Sequence, residues 1–387
     1  MMEQYFQSGR INNKGVNMQK KQVAVLDVGS SCVTAVVGER GLNKTFIIKG
    51  ESSFNYEGFA QGEFLDVDSL KNAIISAVKF LKKTLRFGFN VVYVGVPGAF
   101  TEVMVKDSQI SFQKKKRITD EDVDTLFDAA FVLQNSKYTL INRSAIVYEL
   151  DDYRRLANPV GQVSEVLKGK LSFILCRNYF LDIIRTALKM GGVSNVEFVS
   201  SSLAQAMFLI NAETRDRIAE IVDVGYISTT FTLVQGDGIL FQKSFDYGGG
   251  YITASLTEKL ETDFETAEQL KRKINLSKIS NHGLDIIDDD KGRYYSVEEI
   301  KAIIKTSLDE LCENISLAIE QSGYVIPEYV PLMVTGGGIA LIRGAKEHVS
   351  GRLNNVVEIL APSIPLNEKP TSSSSLSLLD LAIEQNG

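Results

Sequence analysis

The sequence predicts an α/β fold built from two related halves, and three observations support this prediction. Apolar strand-like runs alternate with helical periods, which is typical of α/β proteins with mixed sheets. The run Val25–Ser31 places Asp-Val-Gly directly after an apolar strand, and Ile221–Thr230 repeats that design in the second half of the chain. A third apolar run is followed by the glycine cluster Gly336–Gly338. A strand-and-turn unit that occurs twice indicates two related halves that face each other.

The composition excludes several classes of protein. The chain has 387 residues, enough for roughly two to four structural units of about 100–200 residues each. It holds 42 Lys and Arg against 48 Asp and Glu, a net charge of −6, so no basic excess indicates a nucleic-acid-binding protein. With three scattered cysteines and two histidines, neither a disulfide framework nor a Cys/His zinc site is expected. The apolar runs are shorter than the roughly 20 residues that cross a bilayer.

The first half is predicted to begin after a disordered arm of residues 1–20. Two strands are expected at Val23–Leu26 and Val33–Val37. Apolar residues at helical spacing predict a helix over 68–86, capped by Asp66 or Asp68 and stopped at Gly88. A further strand, Val91–Val96, ends at Pro97-Gly98.

The middle of the chain continues the alternation. Thr119 and Asp122 have the spacing of a capping box and predict a helix that runs to about Leu133. Strands are expected at 145–150 and 170–176, and a helix at 180–190 that ends at Gly191-Gly192.

The second half repeats the pattern of the first. After Ile221–Val224, the strand Phe231–Val234 turns at Gly236–Gly238 into Ile239–Phe241. The apolar run Val330–Val334 leads to Thr335 and the glycine cluster, and a helix is expected over roughly 340–350.

A strand that ends in Asp-x-Gly-Ser has chemistry suited to phosphate. The turn exposes consecutive backbone N–H groups, and the glycine lacks the Cβ that would keep phosphate oxygens away. The neighbouring carboxylate is suited to a hydrated Mg²⁺. Two such turns from opposite halves would clamp a polyphosphate. Taken singly, each signal is also compatible with an ordinary hairpin turn or loop; their common order along the chain favours a nucleotide-binding fold.

Several further segments carry a family resemblance. The three motifs together resemble the actin/Hsp70/sugar-kinase ATPase superfamily and, within it, the bacterial cell-division family FtsA. The FtsA-like segments are Gly62–Asp66, Val92–Gly98, Ile118–Val123, Tyr148–Asp152, Asn158–Gly161, Ser202–Ala204 and Ser374–Leu379. The resemblance covers about residues 22–383. It implies an actin-like (ribonuclease H-like) fold whose halves enclose a nucleotide cleft, with an FtsA-type 1C subdomain inserted.

The resemblance also implies domain boundaries. These are subdomain 1A at 21–87 and 177–215, the 1C (SHS2) subdomain at 88–176, subdomain 2A at 216–256 and 311–387, and subdomain 2B at 257–310.

Site residues follow from the same resemblance. They are a first phosphate loop (Asp27, Gly29, Ser30, Ser31), a second phosphate loop (Asp223, Gly225), a helix contacting ribose and adenine (Glu268, Lys271) and an adenosine loop (Gly336, Gly337, Gly338). The implied cofactors are ATP and Mg²⁺, the ion being held by Asp27 and Asp223 through water. Without the family, Glu268 and Lys271 are interpreted as a solvated helix face. Gln205 is a candidate for orienting a water molecule, although a surface glutamine is the plainer interpretation.

The sequence departs from the family at two places. Where FtsA proteins have Gly-Gly-Thr in the second loop, this chain has Tyr226, Ile227 and Ser228. The added side chains predict weaker ATP binding than in the family. The final segment, Leu376–Gln385, has two acidic and no basic residues, so it predicts a core helix and not the basic amphipathic helix that binds FtsA to membranes. The basic run Lys114–Arg117 is expected to be a solvated loop, with an anionic contact surface as the alternative.

The resemblance implies an assembly protein with at most a weak ATPase activity. It would bind ATP, self-associate into protofilaments and act as an adaptor for FtsZ, in the bacterial cytoplasm or at the cytoplasmic face of the membrane at the division site. A pilus-assembly adaptor of the PilM type is the alternative, and a small-molecule kinase is less favoured because no substrate-activating Asp motif is found. No nucleic-acid partner is expected, and membrane association would be indirect.

Overall fold

The computed structural model describes residues 22–41, 45–85, 89, 91–133, 135–278, 286–288 and 292–386. The predicted arm of residues 1–20 and the helix stop at Gly88 lie outside the described residues.

The described residues form mixed α/β structure. The strands are β1 (Gln22–Val28), β2 (Cys32–Arg40), β3 (Phe46–Asn55), β4 (Phe59–Ala60), β5 (Glu63–Phe64), β6 (Val91–Val96), β7 (Thr101–Arg117), β8 (Tyr138–Leu150), β9 (Arg155–Leu156), β10 (Val163–Arg177), β11 (Asn195–Ser200), β12 (Ala219–Val224), β13 (Thr229–Gln235), β14 (Gly238–Phe245), β15 (Ile286–Asp288), β16 (Tyr294–Ser296), β17 (Leu332–Thr335) and β18 (Val357–Ile359). The helices are α1 (Val67–Leu85), α2 (Asp120–Ala130), α3 (Asn178–Met190), α4 (Ser201–Leu209), α5 (Ala212–Arg217), α6 (Gly249–Lys259), α7 (Phe264–Lys273), α8 (Val297–Ser322), α9 (Ala345–Leu353) and α10 (Ser373–Asn386).

Two five-stranded sheets share one topology. Written from the antiparallel edge, the first has the order β3-β2-β1-β6-β11 and the second has the order β14-β13-β12-β17-β18. In each sheet a three-stranded antiparallel meander is extended on one side by two parallel strands. The predicted duplication into two related halves is therefore confirmed in the arrangement of the strands.

Helices cover the first sheet on both faces. On one face, α1 buries Leu70, Ile74, Ala77, Val78 and Leu81, the apolar stripe predicted from the sequence. Asp66 accepts a hydrogen bond from the backbone N–H of Ser69 and so caps the start of α1. On the other face, α10 packs its leucines against β1 and β2.

The position of α10 differs from the boundary predicted for the second half, which placed 311–387 there. Leu376, Leu378 and Leu379 join Val25 and Val36 in one buried cluster of the first half. Gly38 makes this contact possible, because a Cβ at that position would come within 2.8 Å of Leu379. The chain thus returns to the first half after completing the second. The core helix that was predicted because Leu376–Gln385 lacks basic residues is confirmed as α10.

The insertion is a four-stranded antiparallel sheet, β7-β10-β8-β9, with α2 packed on one face. The predicted capping box is present: the Thr119 side chain accepts from the N–H of Asp122, and Asp122 accepts from the N–H of Thr119. The predicted start of the insertion at residue 88 is too early, because β6 pairs with β1 and belongs to the first sheet. Its sheet begins at Thr101 and ends at Arg177, and α2 ends at Ala130 instead of Leu133.

The insertion also touches the second half. The Ser172 hydroxyl donates to the carbonyl of Ile239 at 2.7 Å, and the Gln242 amide donates to Thr101 at 2.6 Å. Gly236 and Gly238, at the turn between β13 and β14, lie against Ile146 of β8, where a Cβ would clash. The insertion therefore packs on both halves of the molecule.

In the second half, α6, α8 and α9 pack on the sheet around one large core. The smaller region predicted at 257–310 contains α7, the hairpin β15–β16 and the start of α8.

Candidate functional site

The two Asp-Val-Gly turns occupy equivalent positions in the two sheets. Asp27 lies opposite Thr34, and Asp223 lies opposite Thr230, each one residue before the strand end. The N–H of Gly29 donates to the carbonyl of Cys32 at 2.9 Å, and the N–H of Gly225 donates to that of Ser228 at 3.0 Å. The sequence repeat is thus a structural repeat down to single hydrogen bonds. In both turns, the N–H of the glycine is therefore hydrogen-bonded within the turn itself.

Both carboxyl groups are surrounded by protein, and each has one side-chain donor. The Ser374 hydroxyl donates to Asp27 Oδ1 at 2.7 Å, and the Gln205 amide donates to Asp223 Oδ2 at 2.7 Å. Burial raises the pKa of Asp27 to about 6, the Ser374 bond acts to lower it, and the charge of Asp223 raises it further. Burial also raises the pKa of Asp223, against the lowering effect of Gln205. The two carboxyl groups therefore interact across the cleft.

Residues of both halves line one cleft of about 180 Å³. Of the predicted site residues, those that line it are Asp27, Gly29, Ser30, Ser31, Gln205, Asp223, Gly225, Gly336 and Gly337. Gly338 lies just behind, where its N–H donates to the carbonyl of Val224 at 2.8 Å. The structure thus brings together the residues of both predicted phosphate loops, Gln205 and most of the predicted adenosine loop.

The glycine cluster packs directly against the second turn. Gly336 has φ +86°, and a Cβ there would overlap the Asp223 carboxylate and the carbonyl of Val224. A Cβ on Gly337 would come within 2.9 Å of Thr371. The helix predicted to follow directly begins only at Ala345, after an intervening turn, so the cluster is a close-packed loop and not a helix N-terminus.

Glu268 and Lys271 do not line the cleft. The Lys271 ammonium donates to the Gly249 carbonyl at 2.9 Å and to Thr253 Oγ1 at 2.7 Å, and it pairs with Glu268 at 2.7 Å. These contacts use all three donors of an ammonium group. Burial lowers the pKa of Lys271, although Glu268 acts against it. In this arrangement the pair joins α6 to α7 and presents no free donor to a ligand.

The second turn carries the two residues that depart from the family. The Tyr226 ring lies against Gly250 and Phe264, with the Lys271 ammonium 5.9 Å from its centre. The Ile227 N–H donates to Ser30 Oγ at 3.0 Å, and the Ile227 side chain packs against the core of the first half. The Tyr226 ring therefore packs against residues of the second half and also lines the cleft, whereas Ile227 reaches the first half.

Several cleft residues lie outside the predicted set. Ser374, Thr371 and Pro370 come from the segment that leads into α10, and Ser201 and Ser202 begin α4. Part of the cleft wall is apolar and is formed by Phe59, Phe64 and Phe100, whose rings contact one another. For Pro370, Thr371 and Ser374, the sequence signal that could have predicted a polar helix start is the serine run Ser372–Ser375, because serine is a frequent capping residue.

The residues fit a Mg²⁺ ion held through water. Within the described residues, no group of three or more His, Cys, Asp and Glu side chains is arranged to hold a metal directly. Two facing carboxylates are what a Mg²⁺ that keeps its water needs. The space beside the cleft glycines is taken up by the chain's own atoms, and the cleft volume of about 180 Å³ is less than the roughly 300 Å³ at the lower end of ligand pockets. The cleft would therefore have to open transiently before a nucleotide could enter it.

The basic run Lys114–Arg117 forms the end of β7 and is not the loop that was expected. In the basic run Lys114–Arg117, every side chain is exposed; Lys116 pairs with Asp122 at 2.9 Å and Lys115 with Asp151 at 3.5 Å. Across the described ranges, no helix is both long and apolar enough to cross a membrane.

Sequence comparisons support the resemblance derived from the motifs. The family described as "Type IV pilus assembly protein PilM" matches residues 190–286. The cell division protein FtsA of Streptococcus pneumoniae is 23% identical over 368 residues, which cover 92% of this chain and 79% of the relative. FtsA of Neisseria meningitidis is 21% identical over 384 residues, covering 96% and 92%. The chain thus resembles FtsA along nearly its whole length, as the motifs predicted.

Solved structures show the same fold. A chain of a PilM–PilN type IV pilus biogenesis complex matches with a TM-score of 0.64 and 18% identity, covering 93% of this chain and 98% of that one. The ethanolamine utilization protein EutJ of Carboxydothermus hydrogenoformans matches with a TM-score of 0.54 at 12% identity, covering 94% and 90%. MreB 5 of Spiroplasma citri bound to AMPPNP matches with a TM-score of 0.53 at 14% identity, covering 95% and 98%. The predicted actin-like fold is confirmed.

Proposed function

We propose that the chain is an FtsA-like, actin-fold assembly protein that binds ATP with Mg²⁺ weakly, associates with copies of itself and acts as an adaptor for FtsZ at the bacterial division site. The observation that carries the proposal is the pair of equivalent turns, with Asp27 and Asp223 facing one cleft, in a chain similar to FtsA over nearly its whole length. It would act in the cytoplasm, at the membrane face of the division site.

In this proposal the nucleotide is a closure ligand. Asp27 and Asp223 would hold the hydrated Mg²⁺, which neutralises phosphate charge, and the glycines of the two turns and of Gly336–Gly338 would admit phosphate and nucleoside. Because the lining residues come from both halves, binding would favour one angle between the halves over others. Gln205 points its amide at Asp223 and is a positioning group for that carboxylate. It is a weak candidate for water activation, so hydrolysis would be slow.

The nucleotide part of the proposal is tested by restoring the family's glycines. The double variant Tyr226→Gly, Ile227→Gly should bind a fluorescent ATP analogue about tenfold or more tightly in Mg²⁺, because the Cβ atoms and side chains of the second turn are removed. Fluorescence titration with and without EDTA measures the change. Tight, Mg²⁺-dependent binding by the unaltered chain, equal to that of the double variant, would refute the predicted weakness.

The partner is tested by co-sedimentation. FtsZ from the source organism, polymerised with GTP, should bring the chain into the pellet, whereas FtsZ kept unpolymerised should not. The PilM match over 190–286 and the fold similarity to the PilM–PilN complex favour a pilus-assembly adaptor as the second candidate. Binding to a PilN-type protein without co-sedimentation with FtsZ would select that candidate. Substrate-dependent release of ADP from a panel of sugars would select a kinase over both.

A further inference from the structure

The second turn is attached to both halves of the molecule. Within the second half, the Gly225 carbonyl accepts from the N–H of Gly249 at 2.9 Å, and the Tyr226 carbonyl accepts from the N–H of Gly250 at 2.6 Å. The Tyr226 ring also packs on the first turn of α6. These contacts fix the turn to α6 and leave the next residue, Ile227, projecting toward the first half.

Ile227 makes two contacts across the cleft. Its backbone N–H donates to Ser30 Oγ at 3.0 Å, so a donor of the second turn binds a hydroxyl of the first turn. Its side chain packs against the buried cluster of the first half, which includes Val28 and Phe59. One residue therefore supplies both a hydrogen bond and apolar burial between the halves.

We propose that Tyr226 and Ile227 form a cross-cleft staple, in which the chain's own second turn holds the two halves together in the place where a nucleotide's phosphates would otherwise join them. The inference rests on the proposed function, because it assigns to the staple the closing role that the nucleotide has there. The Ile227 N–H and the Ser30 hydroxyl, which would both face phosphate, are bonded to each other. Phosphate binding therefore has to break this bond and displace the Ile227 side chain.

Competition of this kind has two measurable consequences. The halves of the unaltered chain stay closed whether or not nucleotide is present, so nucleotide changes their separation little. The apparent affinity for nucleotide equals the intrinsic affinity multiplied by the fraction of molecules in which the staple is open, so a mostly closed staple makes binding weak. Removing the staple reverses both properties and makes closure depend on nucleotide.

Cys32 offers a native reporter of cleft opening. It lines the cleft next to the first turn and is partly exposed, whereas Cys176 and Cys312 are buried. Burial in the closed structure raises the pKa of the Cys32 thiol, so opening of the cleft should increase the rate at which a maleimide labels the folded chain. The variant Cys32→Ser gives the background from the other two thiols.

The expected result is slow labelling of the unaltered chain that Mg-ATP changes by less than twofold. Ile227→Ala should label about tenfold faster without nucleotide and slow down again when Mg-ATP is added. Ser30→Ala, which removes only the acceptor, should label a few fold faster. Ile227→Val keeps a branched apolar side chain and should behave as the unaltered chain. Equal labelling rates for the unaltered chain and Ile227→Ala without nucleotide would overturn the staple.

Nucleotide binding is measured in parallel by titration with the fluorescent analogue. If no protein of the series binds it, the nucleotide part of the proposed function fails, while the labelling rates without nucleotide still decide the staple. If Ile227→Ala does not fold, shown by loss of its cooperative thermal transition, the decision passes to Ser30→Ala, which leaves the packing of Ile227 in place. Labelling of Ser30→Ala at the rate of the unaltered chain would then overturn the proposal.

Discussion

Asp27 and Asp223 occupy the same position in two copies of one hairpin, but their supporting donors come from different places. Ser374 belongs to α10, and Gln205 belongs to α4, so both donors are supplied by helices of the first half. The Gln205–Asp223 bond therefore crosses between the halves, whereas the Ser374–Asp27 bond lies within the first. Buried carboxylates that lack a cation partner oppose folding when they ionise, which makes their titration a test of the site.

Asp27→Asn should raise the stability of the chain without ligand. The carboxyl has a folded pKa of about 6 against an ordinary value of 3.8, so above pH 6 its ionisation costs at most about 3 kcal/mol of unfolding free energy. The folded state binds the proton more tightly than the unfolded state does, so this cost disappears as the pH falls from 7 to 4. The titration of Asp27 therefore makes the unaltered chain more stable at pH 4 than at pH 7. Urea denaturation at pH 8 and pH 5 measures both effects.

The gain from Asp27→Asn should be about 3 kcal/mol at pH 8 and roughly half of that at pH 5, and the stabilisation by Mg-ATP should be lost. The exposed Asp216→Asn is the matched control and should change neither. A loss of stability at pH 8 in Asp27→Asn would contradict the burial of this carboxylate.

Lys271→Met separates a structural role from a ligand contact. Because the ammonium is bonded to Gly249, Thr253 and Glu268, its removal leaves buried acceptors unpaired and should cost about 3 kcal/mol of stability. The dissociation constant of a fluorescent nucleotide should change less than twofold in the protein that remains folded.

The exposed Lys273→Met, on the same helix, is the control for a change of net charge. A tenfold loss of nucleotide affinity in Lys271→Met, with stability unchanged, would instead show that the lysine contacts the ligand.

Among the elements, the hairpins at Asp27 and Asp223 were the most predictable from sequence. An apolar strand, Asp-Val-Gly and a second strand lie within about ten residues, so short-range patterns decide the structure. The place of α10 was not predictable in the same way, because nothing local in Leu376–Leu379 distinguishes the face of the first sheet from that of the second. Its contact with Gly38 and Gly95 depends on residues far away along the chain.

The site residues likewise divide into those that local sequence patterns predict and those that depend on contacts made in the folded chain. The sequence predicts that Asp27, Asp223 and the glycines lie together, because each lies at or just after the end of a strand. It did not indicate that the side chains of adjacent Tyr226 and Ile227 would point into opposite halves, or that Lys271 would turn inward. Both outcomes depend on the packing of α6 and α7 against the second turn, which only the folded chain defines.

Leu379→Ala tests the assignment of α10 to the first half. Leu379 is fully buried against β2, so the substitution should cost about 2–5 kcal/mol by lost burial and cavity formation. Leu366→Ala removes the same atoms at a position that is 99% exposed and should have little effect on stability. Hydrogen exchange should increase in β1 and β2 of Leu379→Ala. An increase confined to the second sheet would contradict the packing of α10 described above.

At the scale of the whole molecule, the two halves are joined where the chain passes from one to the other. Arg215 on α5 is only 1% exposed at this crossover. It donates to the carbonyls of Met207 and Ile210 at the end of α4, and to the Gly236 carbonyl and the Asp237 carboxylate at the turn of β13–β14. A single guanidinium thus ties a helix of the first half to a hairpin of the second, next to the contact of that hairpin with the insertion.

Arg215→Lys should therefore weaken the coupling between the halves more than it weakens either half. Lysine keeps the charge but lacks the planar set of five donors, so some of the carbonyls and Asp237 lose their partner, at a cost of about 3 kcal/mol. Scanning calorimetry should show the single thermal transition of the unaltered chain broaden or divide in two, because each half keeps its own core. Arg217→Lys, exposed on the same helix, should leave the transition unchanged. A single transition in Arg215→Lys, with its midpoint unshifted, would show that the insertion and the cleft contacts suffice to couple the halves.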